Sequence, residues 1–87
     1  ERVERELALI KVSADPGTSR AEVMQLATIF RAQIIDVGAK TVTLSVAGDT
    51  EKIDALEKLL RQYGVKELVR TGKIAILRGT KTVKSAK

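Results

Sequence analysis

Hydrophobic residues recur at two different spacings along the chain, and the two spacings predict its secondary structure. An apolar residue at every second position is typical of a strand, and apolar residues three and four positions apart are typical of a helix. The strand-like runs are 6–14, 33–37, 41–47 and 65–78, and the helix-like runs are 19–31 and 50–63. The predicted order of elements is therefore β-α-β-β-α-β.

The first strand carries apolar residues on both of its faces. Ala8, Ile10 and Val12 share one face, and Leu7 and Leu9 share the other. Such a strand suits the centre of a sheet, because both of its sides can be covered.

The next two strands are predicted to form a hairpin. A short connection that contains glycine, residues 38–40, separates them. The second strand alternates regularly, which predicts that Val42, Leu44 and Val46 point into the core.

Both helices have recognisable boundaries. Ser19 and Glu22 have the spacing of a capping box at the start of the first helix. Asp49 or Thr50 caps the second helix, and Gly64 follows it where a left-handed residue is favoured. The residues predicted to be buried are Val23, Met24, Leu26, Ala27, Ile29 and Phe30 in the first helix and Ile53, Leu56, Leu59, Leu60 and Tyr63 in the second.

The C-terminal part is less regular than the rest. Residues 74–77 predict a strand, whereas residues 65–69 fit either a short edge strand or an irregular segment that leads to it. The complete order predicts an α+β, ferredoxin-like sandwich, in which a four-stranded antiparallel sheet carries two helices on one face. We expect one domain over residues 1–79 and a basic, disordered tail over residues 80–87.

The composition argues against catalysis. The chain has no Cys and no His, which excludes thiolate metal sites and the commonest general base near neutral pH. Glu51, Asp54 and Glu57 are expected on the exposed face of the second helix, where they are solvated charges rather than an acid–base pair. We therefore expect no enzyme activity, no catalytic residue, no metal and no cofactor.

The charge gives little support for nucleic-acid binding. The net charge is +5, but Lys81, Lys84 and Lys87 in the tail account for three of these charges. The predicted strands contain no aromatic side chain on which a base could stack.

No apolar run approaches the roughly 20 residues that span a bilayer. We expect a cytoplasmic protein that binds neither nucleic acid nor membrane.

Two features indicate possible binding surfaces. Leu7 and Leu9 leave apolar surface on the sheet face away from the helices, and we favour an interface with a second copy over isolated surface leucines. Residues 15–18 precede a helix and fit either a plain turn or an anion site. The plain turn is favoured, because the segment has one glycine and lacks phosphate-loop spacing.

Several segments resemble the C-terminal half of the small subunit of acetohydroxyacid (acetolactate) synthase. The similarity extends from about residue 3 to Gly79 in the same order along the chain. The segments that carry it are 5–12 (RELALIKV), 29–32 (IFRA), 34–37 (IIDV), 48–49 (GD), 52–55 (KIDA), 59–61 (LLR) and 64–72 (GVKELVRTG).

The resemblance implies a regulatory rather than a catalytic role. Small subunits of this family stimulate a thiamine-diphosphate enzyme of branched-chain amino-acid synthesis and confer feedback inhibition by valine. The main valine site lies in an N-terminal ACT domain, so this chain corresponds to the second, ACT-like domain. The implied partners are the catalytic large subunit and a small amino-acid effector, in addition to the second copy that the open sheet face suggests. The alternative is a free-standing ACT-like domain that senses a small amino acid.

The resemblance also suggests candidate site residues. ACT-type effector sites use the loop after the first strand, which here provides the candidates Asp15, Gly17, Thr18 and Ser19. The candidate partner contacts are Leu7, Leu9, Glu67, Arg70, Thr71 and Gly72. Arg70 either binds a carboxylate through two hydrogen bonds or forms a structural edge pair with Glu67, and we favour the edge pair.

Overall fold

The computed structural model describes residues 2–79, so the predicted tail 80–87 lies outside the described residues. The described residues form four strands and two helices in the predicted order. The elements are β1 (Arg2–Ser13), α1 (Arg20–Ile29), β2 (Gln33–Val37), β3 (Thr41–Gly48), α2 (Thr50–Leu60), a 3-10 turn (Arg61–Tyr63) and β4 (Val65–Leu77).

The strands form one antiparallel sheet in the order β2-β3-β1-β4. β1 lies in the centre, as its two apolar faces predicted, and pairs with β3 on one side and β4 on the other. This order, with two helices, confirms the ferredoxin-like α+β fold.

The core lies between the helices and the inward faces of β1 and β3. The alternation in both strands is confirmed, because every second residue is buried. The buried apolar residues are Ala8, Ile10, Val12, Ala14, Val23, Ala27, Val42, Leu44, Val46, Ile53, Leu56 and Leu60. Since all are aliphatic, the core is held by close packing rather than by aromatic stacking.

The first helix begins differently from the prediction. The Ser19 side chain makes no capping hydrogen bond; its hydroxyl accepts from the backbone N–H of Asp15. Glu22 accepts from the Tyr63 hydroxyl instead of closing a capping box. Ile29, predicted to be buried, is 70% exposed at the end of the helix.

The second helix follows the prediction more closely. Asp49 caps it by accepting from the backbone N–H of Lys52 at 2.8 Å. Gly64 ends the 3-10 turn with a φ of 103°, in the left-handed region where a side chain would be strained. Leu59 is the exception, because it is 40% exposed rather than buried.

β4 is one continuous strand of 13 residues, which resolves the choice left open for 65–69. A bulge between the pairs Glu6–Lys73 and Ala8–Arg70 shifts its register. The pairing of β1 with β3 ends at Glu6. From Arg5 back to Arg2, β1 pairs only with β4. We call this two-stranded extension, residues 2–5 with 74–77, the ribbon.

Candidate functional site

A cluster of charged side chains lies where the ribbon joins the sheet. Its centre is Arg70 on β4, which is opposite Ala8 on β1 and therefore lies on the helix side of the sheet. Arg70 Nε and Nη2 donate to the two carboxylate oxygens of Glu6 at 2.9 and 2.8 Å. Glu6 is only 4% exposed and the Arg70 side chain is 22% exposed, so the carboxylate is the more deeply buried partner of this two-bond ion pair.

The same guanidinium also binds helix α2. Arg70 Nη1 donates to Asp54 Oδ1 at 2.7 Å and to Glu57 Oε1 at 3.1 Å. Glu57 accepts a further bond from Arg61, four residues along the helix. The expectation of a solvated charge is wrong for Glu57, which is 8% exposed, whereas the Asp54 side chain is exposed as expected, although it too pairs with Arg70.

The electrostatics of this cluster favour the ionised forms of its central pair. The hydrogen bonds from Arg70, above all, hold the pKa of Glu6 below its ordinary value, with contributions from Thr50 and the backbone of Gly72. The bonds to Glu6 and then Asp54 raise the pKa of Arg70. Arg70 thus binds a carboxylate through two bonds, as one alternative held, but the carboxylate is the chain's own Glu6.

The favoured pair of Glu67 with Arg70 is wrong. Glu67 lies on the opposite sheet face and accepts from Lys11 at 3.4 Å. Thr71 and Gly72 form the bulge: the Thr71 hydroxyl oxygen accepts from the backbone N–H of Leu7, and Gly72 has a φ of 75°. The motif around Arg70 therefore divides between an internal ion cluster and the bulge that begins the ribbon.

The candidate effector loop is hydrogen-bonded within itself. The backbone carbonyl of Asp15 accepts from the hydroxyl of Thr18 and from the backbone N–H groups of Thr18 and Arg20. The Ser19 hydroxyl accepts from Asp15, as described above. Gly17 has a φ of 84° and nothing within 4 Å of the position where a Cβ would lie. The loop is a closed turn whose glycine faces open space.

Arg20, which follows this loop, has a structural role that the sequence did not predict. Arg20 Nε donates to the carbonyl of Ala14 at 3.0 Å, and Nη2 donates to the carbonyls of Gly38 and Ala39 at 2.7 and 3.1 Å. It thereby joins the start of α1 to the β2–β3 turn. No pattern in the sequence indicates these bonds, because backbone carbonyls are present at every residue.

The face of the sheet away from the helices is partly apolar. Leu7 and Leu9 are 38% and 40% exposed, and Val69, the neighbour of Leu9 on β4, is 61% exposed. On the other side of β1, Ala47 and Ser45 lie opposite these leucines. The predicted apolar surface is therefore continuous across β1 and β4 and adjoins smaller residues on β3.

A polar recess lies at the base of the ribbon. It has a volume of about 230 Å³, and both acidic and basic side chains line it. Within residues 2–79 no three carboxylates are arranged to hold a metal ion. In the same part of the chain, no helix is both long and apolar enough to cross a bilayer.

Three comparisons with known proteins give a consistent result. The family model described as small subunit of acetolactate synthase matches residues 5–79. The probable acetolactate synthase small subunit of Archaeoglobus fulgidus is 52% identical over 79 residues, which cover 91% of this chain and 49% of that protein. The acetolactate synthase small subunit of Aquifex aeolicus is 49% identical over 76 residues, which cover 87% of this chain and 40% of that protein.

A solved structure agrees with these sequence matches. The crystal structure of the acetolactate synthase small subunit from Thermotoga maritima superposes with a TM-score of 0.79 at 42% identity, and covers 92% of this chain and 48% of that one. This chain thus spans about half the length of these relatives. Since the family model accounts for nearly all of the described fold, the chain belongs to the family of acetolactate synthase small subunits, whose C-terminal part it matches.

Proposed function

We propose that this chain is a regulatory domain that supports activation and valine feedback control of the catalytic subunit of acetolactate synthase. The observation that carries the proposal is the family match over residues 5–79, to proteins named as small subunits. In this proposal the domain itself is not catalytic and takes no cofactor, and it acts in the cytoplasm of its cell.

The charged cluster supports a structural rather than a catalytic use of the carboxylates. Arg70 engages three of them, and Glu6 and Glu57 are buried. A general base must reach a substrate from a cleft. These carboxylates instead bind the guanidinium of Arg70, which joins α2 to β1 and β4. Such an ion cluster holds the helix and the sheet together, as a structural role requires.

The experiment is reconstitution of the full-length protein with the large subunit from the same organism. We expect a complex on size-exclusion chromatography and a higher rate of acetolactate formation than the large subunit gives alone. Addition of valine should lower that rate. The absence of both a complex and a rate increase would contradict the proposal.

The matched control for effector binding is calorimetry of the small subunit alone. Titration with valine, leucine and isoleucine tests the alternative, a free-standing ACT-like sensor. Saturable binding by the 87-residue chain, abolished by Gly17→Val in the loop Asp15–Ser19, would favour that alternative. Feedback that requires the longer protein would favour the supporting role proposed here.

A second copy of the domain is the proposed partner of the open sheet face. Leu7, Leu9 and Val69 form a raised apolar strip beside the small side chains Ser45 and Ala47. A two-fold axis along the strands would place the strip of each copy over the small residues of the other. Sedimentation equilibrium should therefore give a dimer that Leu9→Lys weakens, and an unchanged dimer in this variant would contradict this arrangement.

A further inference from the structure

The face of the ribbon that continues the open face of the sheet is mainly apolar. Val3 lies opposite Ile76, and Arg5 lies opposite Ile74, so these four side chains share one face. Ile74 and Ile76 are 54% and 67% exposed. Arg5 is the one charged side chain of the four, and its guanidinium donates to the backbone carbonyl of Glu4 at 2.7 Å. The charge on this face is therefore bound to the chain's own backbone, and the rest of the face is hydrocarbon.

The other charged side chains of the ribbon lie on its opposite face. Arg2 and Glu4 alternate in phase with the buried Glu6, which places them on the helix side, and they are paired with each other at 2.8 Å. Lys73 lies opposite Glu6 at the base of the ribbon and is on the same side. Segregation of charge and hydrocarbon onto opposite faces is typical of strands whose apolar side is covered.

Within residues 2–79 no element covers the apolar face of the ribbon, because both helices pack on the other side of the sheet. Two strands alone are at best marginally stable in water, and they become stable when they pack against another surface. Burial of two exposed isoleucines is favourable. The ribbon therefore requires a covering surface of its own.

A second copy of the chain supplies such a surface. The dimer proposed above has its two-fold axis along the strands, and rotation about such an axis keeps each residue at the same level. Both ribbons thus lie at the same end of the dimer, with their apolar faces turned towards each other. Leu7, Leu9 and Val69, which are 38–61% exposed, are too few to supply the roughly 800 Å² that each partner contributes to a standard interface. The ribbon isoleucines extend the same apolar strip.

We propose that the ribbon is a dimerisation arm whose apolar face packs against the ribbon of a second copy, an inference that rests on the dimer in the proposed function. The base of the arm is fixed, because Arg70 holds Glu6 and the Thr71 hydroxyl oxygen accepts from the backbone N–H of Leu7. Its direction is therefore set before association, which lowers the entropic cost of binding. The charged face of each arm remains in water.

The first test compares two adjacent positions on β4 that lie on opposite faces of the ribbon. Ile76→Lys places a charge on the apolar face, and Ala75→Lys makes the same change in charge on the helix-side face, where Ala75 is also exposed. Sedimentation equilibrium of the 87-residue chain should give a dimer whose dissociation constant rises at least about tenfold in Ile76→Lys and is unchanged in Ala75→Lys. Equal effects of the two substitutions would overturn the proposal.

The second test detects proximity without adding a charge. The chain has no Cys, so a single introduced thiol reacts alone. In Ile76→Cys the thiols of the two copies lie at the same end of the dimer and face each other, and a short bifunctional maleimide should join them. The matched control is Ala75→Cys, whose thiol faces away from the second copy. An equal or higher yield of crosslinked dimer in Ala75→Cys would contradict the arrangement.

The outcomes separate the ribbon contact from the proposed function. If the wild-type chain sediments as a monomer, the dimer and the ribbon contact both fail. If Leu9→Lys weakens the dimer but Ile76→Lys does not, the dimer of the open sheet face stands and the ribbon contact fails. If Ile76→Lys spares the dimer and weakens the complex of the full-length protein with the large subunit, the ribbon serves that partner and the proposal is overturned. Stimulation of the large subunit tests the regulatory role independently of these results.

Discussion

The two ends of the sheet are each organised around one arginine, and the two arginines work differently. Arg20 binds three neutral backbone carbonyls near the β2–β3 turn. Arg70 binds the carboxylates of Glu6, Asp54 and Glu57 where the ribbon begins. Both side chains join segments that are distant in sequence, but only Arg70 does so through paired charges.

This difference determines which groups lose a hydrogen-bond partner when each arginine is replaced. Removal of Arg20 leaves neutral carbonyls, of which that of Ala39 lies at the surface and can regain a hydrogen bond with water. Removal of Arg70 deprives the buried carboxylate of Glu6 of its cation, whereas Glu57 keeps its bond from Arg61. The Arg70 end should therefore be more sensitive to substitution and to acid, and four predictions test this comparison.

The largest effect is expected from Arg70→Met, which retains an aliphatic stem and removes the cation. Loss of one partner from a fully buried ion pair costs about 3–5 kcal/mol, and because the Arg70 side chain is 22% exposed we expect a loss near the lower limit of this range in the free energy of unfolding. Urea denaturation at pH 7 measures it. The matched control is Arg61→Met, because Arg61 also binds Glu57 but its side chain is 69% exposed, and exposed pairs contribute about 1 kcal/mol or less. Equal losses in the two variants would contradict the buried role of Arg70.

A smaller loss is expected from Arg20→Met. Hydrogen bonds from a charged donor contribute about 1.5–3 kcal/mol, and we expect a loss near the lower limit of this range, because water replaces part of the interaction. Unfolding in urea again gives the value. A loss greater than that of Arg70→Met would reverse the comparison between the two ends.

The parts of the fold that depend on apolar periodicity were predictable from the sequence. β1 and β3 alternate, and their inward residues are those expected. Asp49 and Gly64 also mark the limits of the second helical segment as expected, because each acts through local geometry. β4 was not predicted as one strand, since Thr71 and Gly72 interrupt the period where a bulge lies.

The charged cluster was not predictable in the same way, although one signal for it exists. Glu6 falls on the inward side of β1, in phase with Ala8 and Ile10, and a carboxylate at such a position requires a partner. The partner comes from β4, 64 residues away, so no local spacing identifies Arg70. Glu57 appeared to lie on a solvated helix face because the ion cluster extends past the apolar stripe of α2.

The acid sensitivity of the two ends can be compared through Glu6→Gln, which removes a charge and keeps the shape. The pKa of Glu6 is lowered in the folded state, so its ionised form stabilises the fold above the ordinary value of 4.5, and this contribution disappears as the pH falls through the lowered pKa. We expect Glu6→Gln to reduce the urea midpoint at pH 7 and to approach the wild type below pH 4.

The control for this pH dependence is Arg20→Met, whose partners do not titrate. Its loss relative to the wild type should be the same at pH 7 and pH 3. If the loss of stability in Glu6→Gln were the same at pH 7 and pH 3, the charge of Glu6 would contribute nothing to stability. The Arg70 and Arg20 ends of the sheet would then differ only in how deeply their hydrogen bonds are buried.

The smallest effect is expected from Tyr63→Phe, which lies at the Arg20 end and tests whether that end responds to base rather than acid. The Tyr63 hydroxyl donates to Glu22 at 2.7 Å and joins the 3-10 turn to α1. This bond, more than partial burial, raises the pKa of Tyr63 above its ordinary value of 10.0. The protonated hydroxyl therefore stabilises the fold below pH 10, and the contribution is lost as the pH rises through the raised pKa. Thermal unfolding should show a fall of a few degrees at pH 8 that becomes smaller as the pH rises above 10, whereas the Arg70→Met deficit should persist, because the ion pair of Arg70 with Glu6 keeps its charges across this range.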